Sequence, residues 1–149
     1  MNWMILPFKR YAEFSGRSRR MEYWMFTLLN VIVVTVLMFA TGGLGAMTNL
    51  EAGGDPSAGM MALFGGAGLL ILVYGLAVLL PSIAVTIRRL HDRDMSGWWY
   101  LGAIIGSMIP VVGFLVSIAF LVILALPGTP GPNRFGPDPK GIGEAETFA

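Results

Sequence analysis

The chain has 149 residues, of which 55% are hydrophobic and only 13% are charged, and its formal net charge at pH 7 is +1. A soluble domain carries about a quarter charged residues, so this composition excludes an ordinary soluble globular domain and indicates a membrane protein. The absence of cysteine excludes disulfide bonds, iron–sulfur clusters and thiol catalysis.

Residues 1–22 mix aromatic and charged side chains and are predicted to form a segment on the membrane surface. Phe8, Tyr11 and Phe14 recur every three residues, which approximates one face of a helix, and Pro7 suits a first helical turn. A frayed polar tail explains the same pattern equally well.

Arg17, Arg19 and Arg20 stand at the predicted start of the next helix, where positive charge opposes the helix dipole. An anionic group should therefore lie close to these arginines. The candidates are Glu22, a carboxylate from another loop, and the phosphate groups of lipids.

Two long apolar runs, about residues 25–47 and 61–87, are each predicted to cross the membrane as a helix. At a rise of about 1.5 Å per residue, both runs exceed the ~30 Å thickness of the hydrocarbon layer. The stretch between them, residues 48–59, is rich in glycine and carries no lysine or arginine, so we expect an external loop there.

The third apolar run, residues 98–126, would be about 43 Å long as one straight helix, well over the ~30 Å hydrocarbon layer. Pro110 and Gly113 interrupt it near the middle. A single kinked span and a helical hairpin both fit, and the hairpin is favoured because proline and glycine three residues apart make a natural turn.

These patterns predict an all-α integral membrane protein, a small bundle of three to four transmembrane helices. Residues 1–22 form the cytoplasmic interfacial segment, residues 23–126 the transmembrane domain and residues 127–149 a Pro/Gly-rich tail. Because proline and glycine disfavour helix and central strand, the first part of the tail should be extended and rich in turns. The last residues, 140–149, are expected to be disordered.

The basic residues predict the orientation of the chain. All eight lysines and arginines before Trp98 lie in residues 1–22 and 88–97. Positive residues favour the cytoplasmic side, so both segments should be cytoplasmic, in a multi-pass protein with a cytoplasmic N-terminus. The side of the tail depends on whether the third apolar run is a hairpin.

Three motifs together resemble a known family. They are Phe14-x-Gly16-Arg17-x-x-Arg20-x-x-x-Trp24, Arg88-Arg89-Leu90-His91-Asp92-x-x-x-Ser96-Gly97-Trp98-Trp99, and Pro127-Gly128-Thr129-x-Gly131-x-Asn133-x-x-Gly136-x-Asp138-Pro139. The chain resembles the domain of unknown function 805 family over about residues 8–139. The resemblance implies a bacterial, multi-span inner-membrane protein, and it supplies no catalytic residues.

The second motif carries the only histidine and most of the candidate chemistry. In a helix continuing from the second span, Arg88, His91 and Asp92 would share one face, and Asp92 could orient His91 as a base. The structural alternative is that the arginines and aspartates of this stretch pair with one another and with backbone ends. We predict no catalytic residue, metal or cofactor.

The functional hypothesis is a structural or accessory membrane protein whose cytoplasmic charged cluster docks anionic lipid or a partner protein. The residues assigned to this docking role are Arg17, Arg20, Arg88, Arg89, His91, Asp92, Asn133 and Arg134. A homo-oligomer is compatible with the sequence, and no nucleic-acid partner is expected.

Two other classes of function remain open: a subunit of an oligomeric transporter or channel, and an intramembrane enzyme that uses His91 and Asp92. The predicted spans contain no charged residue or histidine, which argues against a pump formed by one chain. A solvent-shielded network of ion pairs would favour the structural role, whereas a water-filled cleft with the histidine facing a serine would favour the enzyme.

Overall fold

The computed structural model describes residues 3–42 and 65–141, together with Gly45, Thr48, Gly53, Asp55, Ser57 and Met61. Most of the predicted loop 48–59 and most of the tail end expected to be disordered, residues 142–149, lie outside the described residues. Within the described part the regular structure is helical. Its helices are α1 (Leu6–Lys9), α2 (Arg20–Ala40), α3 (Gly66–His91), α4 (Trp98–Ser107) and α5 (Val112–Ala125).

Two helices in the described part of the chain are long and apolar enough to cross a membrane, Arg20–Ala40 and Gly68–His91. They overlap the first two predicted spans, about residues 25–47 and 61–87, and agree with the predicted membrane class in length and composition. Arg20 begins the first helix, and Arg88 and Arg89 lie in the last turn of the second, so the charged side chains lie at the helix ends and the apolar ones between them.

The third apolar run is a helical hairpin, as predicted. α4 and α5 have 10 and 14 residues, or about 15 and 21 Å, so each is shorter than the ~30 Å hydrocarbon layer. The two helices run antiparallel, because Tyr100 stacks on Phe120 with ring centroids 5.9 Å apart and Gly106 lies against Val116.

The turn of the hairpin differs in detail from the sequence prediction. Gly113 lies inside α5, where a Cβ would overlap the carbonyl oxygen of Ser107, so it permits close approach and does not form the turn. The turn is made at Val111, which has φ 67° and ψ −55°. The Val112 N–H donates to the Pro110 oxygen at 2.8 Å, which closes a γ-turn of the strained kind.

The chain divides into two compact units, Met1–Phe26 with Pro81–Ala149, and Thr27–Leu80. In the second unit, the Tyr74 hydroxyl donates to Asn30 Oδ1 at 2.8 Å and joins the two long helices within the apolar region. The first unit contains the N-terminal segment, the end of α3, the hairpin and the tail, and all three sequence motifs belong to it.

The N-terminal segment contains less helix than the spacing of its aromatic residues predicted. α1 has a single turn with Pro7 at its start, as expected, but it ends at Lys9. Tyr11 and Phe14 therefore lie beyond the helix and do not continue its face. Phe8 contacts Phe26 edge to face, with ring centroids 5.2 Å apart, and anchors the segment to α2.

Candidate functional site

Asp92, the first residue after α3, receives two arginines. Its Oδ1 accepts a hydrogen bond from Arg17 Nε at 3.0 Å, and its Oδ2 accepts one from Arg89. Arg89 is 0% exposed and Asp92 is 3% exposed. A carboxylate so removed from water is stable only when paired and hydrogen-bonded, and the two guanidinium groups satisfy that requirement.

Arg88 forms a second buried ion pair. Its Nη2 lies 2.8 Å from Oε1 of Glu22, in the first turn of α2, and Arg88 is 0% exposed. Its Nη1 donates to the Glu13 backbone oxygen at 2.6 Å, so one side chain binds α2 and the N-terminal segment. Together, Asp92 with its two arginines and the Arg88–Glu22 pair form what we call the buried charge cluster, which comprises Arg17, Glu22, Arg88, Arg89 and Asp92.

The cluster also holds the C-terminal end of α5. Arg89 Nε donates to the Leu124 oxygen at 2.9 Å, and its Nη2 donates to the Leu126 oxygen. These carbonyls belong to the last turn and the cap of α5, which have no partner within the helix. A guanidinium group satisfies them and suits the negative end of the helix dipole.

The tail lies directly on Asp92. A Cβ on Gly128 would overlap the Asp92 carboxylate, so only glycine allows this approach. Thr129 N–H donates to the Asp92 backbone oxygen at 2.8 Å. Arg17 then reaches across to the tail, donating to the backbone oxygens of Thr129 and Gly131 at 2.6 Å each.

His91 is held by the first and third motifs. The Gly16 carbonyl can only accept, so the 3.1 Å contact to it makes Nδ1 of His91 the donor. Phe135 stacks on the imidazole with ring centroids 3.9 Å apart, and Arg134 lies over the Phe135 ring. Asn133 Nδ2 donates to the His91 backbone oxygen at 2.9 Å, which fixes the turn of the tail against α3.

A more exposed ion pair flanks the cluster. Arg10 donates to both carboxylate oxygens of Glu13, at 2.6 and 2.7 Å, and this hydrogen bonding lowers the pKa of Glu13. The same Glu13 supplies the backbone oxygen that Arg88 binds. The exposed pair therefore helps to set the local backbone that the buried arginine recognises.

The three motifs thus form one interlocked structure. Comparison with known proteins leads to the same family that these motifs resemble. The family model described as "Protein of unknown function (DUF805)" matches residues 11–137. The chain belongs to the DUF805 family. Its described helices include two that are long and apolar enough to cross a membrane, and the relatives described below are inner membrane proteins. This DUF805 chain is an all-α integral membrane protein, as the sequence predicted.

Two similar proteins have names that agree with that class. The chain is 44% identical over 140 residues to Inner membrane protein YhaH of Escherichia coli (strain K12), covering 94% of this chain and 98% of the relative. Inner membrane protein YhaI of the same strain is 42% identical over 142 residues, covering 94% and 97%. Uncharacterized protein YiiR is 34% identical over 109 residues, covering 57% and 75%. No solved structure matches this DUF805 chain.

The structure brings most of the predicted site residues of this DUF805 protein together, with different pairings. Arg88 binds Glu22. It does not bind Asp92, although Arg88 and Asp92 were predicted to share one face of the helix. His91 and Asp92 do not form a dyad, because the Asp92 carboxylate is held by Arg17 and Arg89. The alternative in which Asp92 orients His91 therefore does not hold, and the Gly16 carbonyl contacts the imidazole in its place. The contacts of Asp92 agree with the other alternative, that the charged residues of this stretch pair with arginines.

The predicted docking residues of this DUF805 chain also differ in accessibility. Arg17, Arg88 and Arg89 are buried. Arg20 is exposed, and Arg134 has 60% of its side chain exposed while it pairs with Asp94. Of the five arginines predicted to dock, only Arg20 and Arg134 are exposed.

Sequence reasoning left three contributors out of the predicted site. Glu22 was considered only as one of several possible counter-ions for the nearby arginines. Gly128 and Thr129 were recognised as motif residues, but nothing local indicated that they contact Asp92. The available signal was the glycine itself, because a glycine in a motif can mark a place where the backbone approaches another group closely. Gly128 has this role, whereas Gly131 and Gly136 have positive φ and open space around them.

Proposed function

We propose that this DUF805 protein is a multi-pass structural or accessory protein of the bacterial inner membrane. In this proposal the buried charge cluster locks the N-terminal segment, the helix ends and the tail into one cytoplasmic cap. The observation that carries the proposal is the complete burial of Arg88 and Arg89, each of which binds a carboxylate and backbone carbonyls from other segments.

A buried ion pair adds little net stability to a fold, so its benefit must come from the arrangement of segments that it specifies. Removing charges from water costs several kcal/mol per ion, and replacement by apolar side chains is often neutral or stabilising. Here the pairs join residues 66 and 75 positions apart. The cluster therefore selects one arrangement of segments that apolar contacts in lipid would not distinguish, because lipid chains compete equally for apolar surface.

Several observations support a cytoplasmic position for the cap. The basic residues concentrate in the two segments that the cluster joins, which is the pattern of cytoplasmic loops. The α4–α5 hairpin returns the chain to the end at which it starts, and Arg134 donates to the Asp94 backbone oxygen at 2.7 Å. The tail and the residues after α3 therefore belong on one side of the membrane.

The exposed rim of this cap, Arg20 and Arg134, is proposed to dock anionic lipid head groups. A guanidinium group near the membrane surface contributes about 1 kcal/mol of attraction to an anionic leaflet. Arg17, Arg88 and Arg89 are excluded from this role, because their side chains are buried and bind groups inside the protein.

The structural role is tested with a double-mutant cycle on Glu22→Gln and Arg88→Gln, the buried one-to-one pair, measured as thermal stability of the purified full chain in mild detergent. Each single variant should lose about 3–5 kcal/mol, because it strands a buried partner. The double variant should lose less than the sum. The matched control is the exposed pair of Asp94 and Arg134, for which the same cycle should give about 0–1 kcal/mol.

Equal, small effects in both cycles would refute the structural role.

The docking role has its own test, flotation of the protein with vesicles containing phosphatidylglycerol or only phosphatidylcholine. Arg20→Gln with Arg134→Gln should reduce binding to the anionic vesicles, and added salt should do the same. If the double variant binds lipid as before but no longer captures a protein that the unmodified chain captures, the rim docks a protein partner and not lipid.

A further inference from the structure

A cavity of about 530 Å³ lies between the end of α3 and the start of α4, within the first unit. Its volume is in the range of about 300–1,000 Å³ that small-molecule sites occupy. No residue of the buried charge cluster lines it, so the cavity is independent of the role proposed above. The lining residues that matter are Ile83, Ile87, His91, Ser96, Leu101 and Ile104.

The polarity of this lining changes along the helices. On α3, Ile83, Ile87 and His91 follow at spacing four, so one face runs from apolar residues to the histidine at the helix end. α4 leads back from the connecting turn, and Leu101 and Ile104 follow Ser96 along it. The cavity is therefore polar at the turn and apolar toward the membrane interior, as a lipid is from head to tail.

The polar end offers both kinds of hydrogen-bonding group. Because Nδ1 of His91 donates to the Gly16 oxygen, Nε2 of the neutral ring carries the lone pair. Nε2 has no hydrogen-bond partner among the residues that the structure describes. The Ser96 oxygen accepts from the Trp98 N–H at 3.4 Å, which leaves its hydroxyl proton to be donated elsewhere.

The charge of the lining decides what kind of head group fits. None of the lining residues is lysine, arginine, aspartate or glutamate. The arginines near this turn have partners outside the lining. Arg88 and Arg89 bind inside the cluster, Arg93 donates to the Pro127 oxygen at 3.0 Å, and Arg134 pairs with Asp94. Burying an anionic head group without a fixed counter-charge is costly, whereas a neutral hydroxyl can both donate and accept.

We propose that this cavity binds a neutral single-chain glycerolipid, a monoacylglycerol. Its acyl chain lies against Ile83, Ile87 and Ile104, and its glycerol hydroxyls donate to Nε2 of His91 and accept from Ser96. The site is distinct from the anionic-lipid rim, because it selects an uncharged head group and a single chain inserted between two helices.

Trp98 also lines the cavity, which supplies an optical reporter. The full chain in detergent is titrated with a brominated monoacylglycerol, and quenching of tryptophan fluorescence is followed. We expect saturable quenching. The corresponding brominated fatty acid, in its anionic form, should require at least about tenfold more ligand, since an uncompensated buried charge costs well over 1.4 kcal/mol.

Two neighbouring variants separate the cavity from the general lipid-facing surface. Ile104→Phe fills the cavity and should weaken binding at least about tenfold, a loss of ~1.4 kcal/mol. Ile105→Phe makes the same change at a position outside the lining, and should leave binding unchanged. His91→Phe retains an aromatic ring for Phe135 but removes the acceptor, and should weaken binding by roughly three- to tenfold, the value of one hydrogen bond.

The proposal would be overturned by non-saturable quenching, by equal effects of the Ile104 and Ile105 variants, or by tighter binding of the fatty acid. If His91→Phe does not fold, Ser96→Ala supplies the polar variant. It removes one donor, and a loss of about threefold is expected. If Ser96→Ala binds with unchanged affinity while Ile104→Phe still weakens binding, the cavity binds the acyl chain but does not recognise the head group. That result would refute recognition of the glycerol hydroxyls.

Discussion

Gly128→Ala is the most specific test of the interlocked motifs. The added Cβ would overlap the Asp92 side chain and stand 2.8 Å from the Asp92 backbone oxygen, whereas Cβ contacts under 3.0 Å are essentially never observed. The carboxylate cannot rotate away freely, because Arg17 and Arg89 hold both of its oxygens. The tail must therefore move off α3.

The magnitude follows from what that movement breaks. Overpacking alone costs about 1–3 kcal/mol. Displacement of the tail also lengthens the two 2.6 Å bonds that Arg17 makes to the oxygens of Thr129 and Gly131. Hydrogen bonds to charged groups contribute about 1.5–3 kcal/mol each, and water replaces part of them, so a total loss of about 3–5 kcal/mol is expected.

The assay is the melting temperature of the purified full chain in mild detergent. At about 2–4 °C per kcal/mol for a chain near this size, Gly128→Ala should lower it by roughly 6–20 °C. The control is Gly102→Ala in α4, where a Cβ meets nothing within 4 Å. Alanine is the better helix former there, so its effect should be zero or slightly stabilising. Equal stability of the two variants would refute the contact between the tail and Asp92.

Three further predictions concern topology and the hairpin. In intact cells an impermeant thiol reagent should label Ser57→Cys but not Ser96→Cys, because basic loops remain in the cytoplasm; the reverse pattern would invert the orientation. A C-terminal reporter that works only outside the cytoplasm should stay silent, because the hairpin returns the tail to the cytoplasmic side. Clear activity would contradict a position of the tail and of the residues after α3 on the same side of the membrane. Val111→Gly should raise the melting temperature, because glycine tolerates φ 67° and the change relieves about 1–3 kcal/mol of strain. The greater conformational entropy of glycine in the unfolded chain offsets ~0.5–1 kcal/mol of this gain. A fall in the melting temperature would show that the γ-turn stores no strain.

The sequence by itself determined the class of protein and the approximate positions of its long apolar helices. Hydropathy and length are local properties, and a membrane leaves a long apolar segment few alternatives to a helix. The hairpin followed from the same reasoning, because residues 98–126 are too long for one straight span and contain a proline near the middle. The detail at Gly113 did not follow, since its closeness to Ser107 depends on how the two helices pack.

Only the tertiary structure decided which charges pair and which are exposed. Arg88 and Arg89 are neighbours in the chain, yet one binds Glu22 and the other binds Asp92, because helical geometry points them in different directions. Their counter-ions and the tail carbonyls are brought together by contacts between residues up to 114 positions apart. Charge patterning marks such residues as polar, but burial depends on which segments cover them, and the sequence carries no local signal for that.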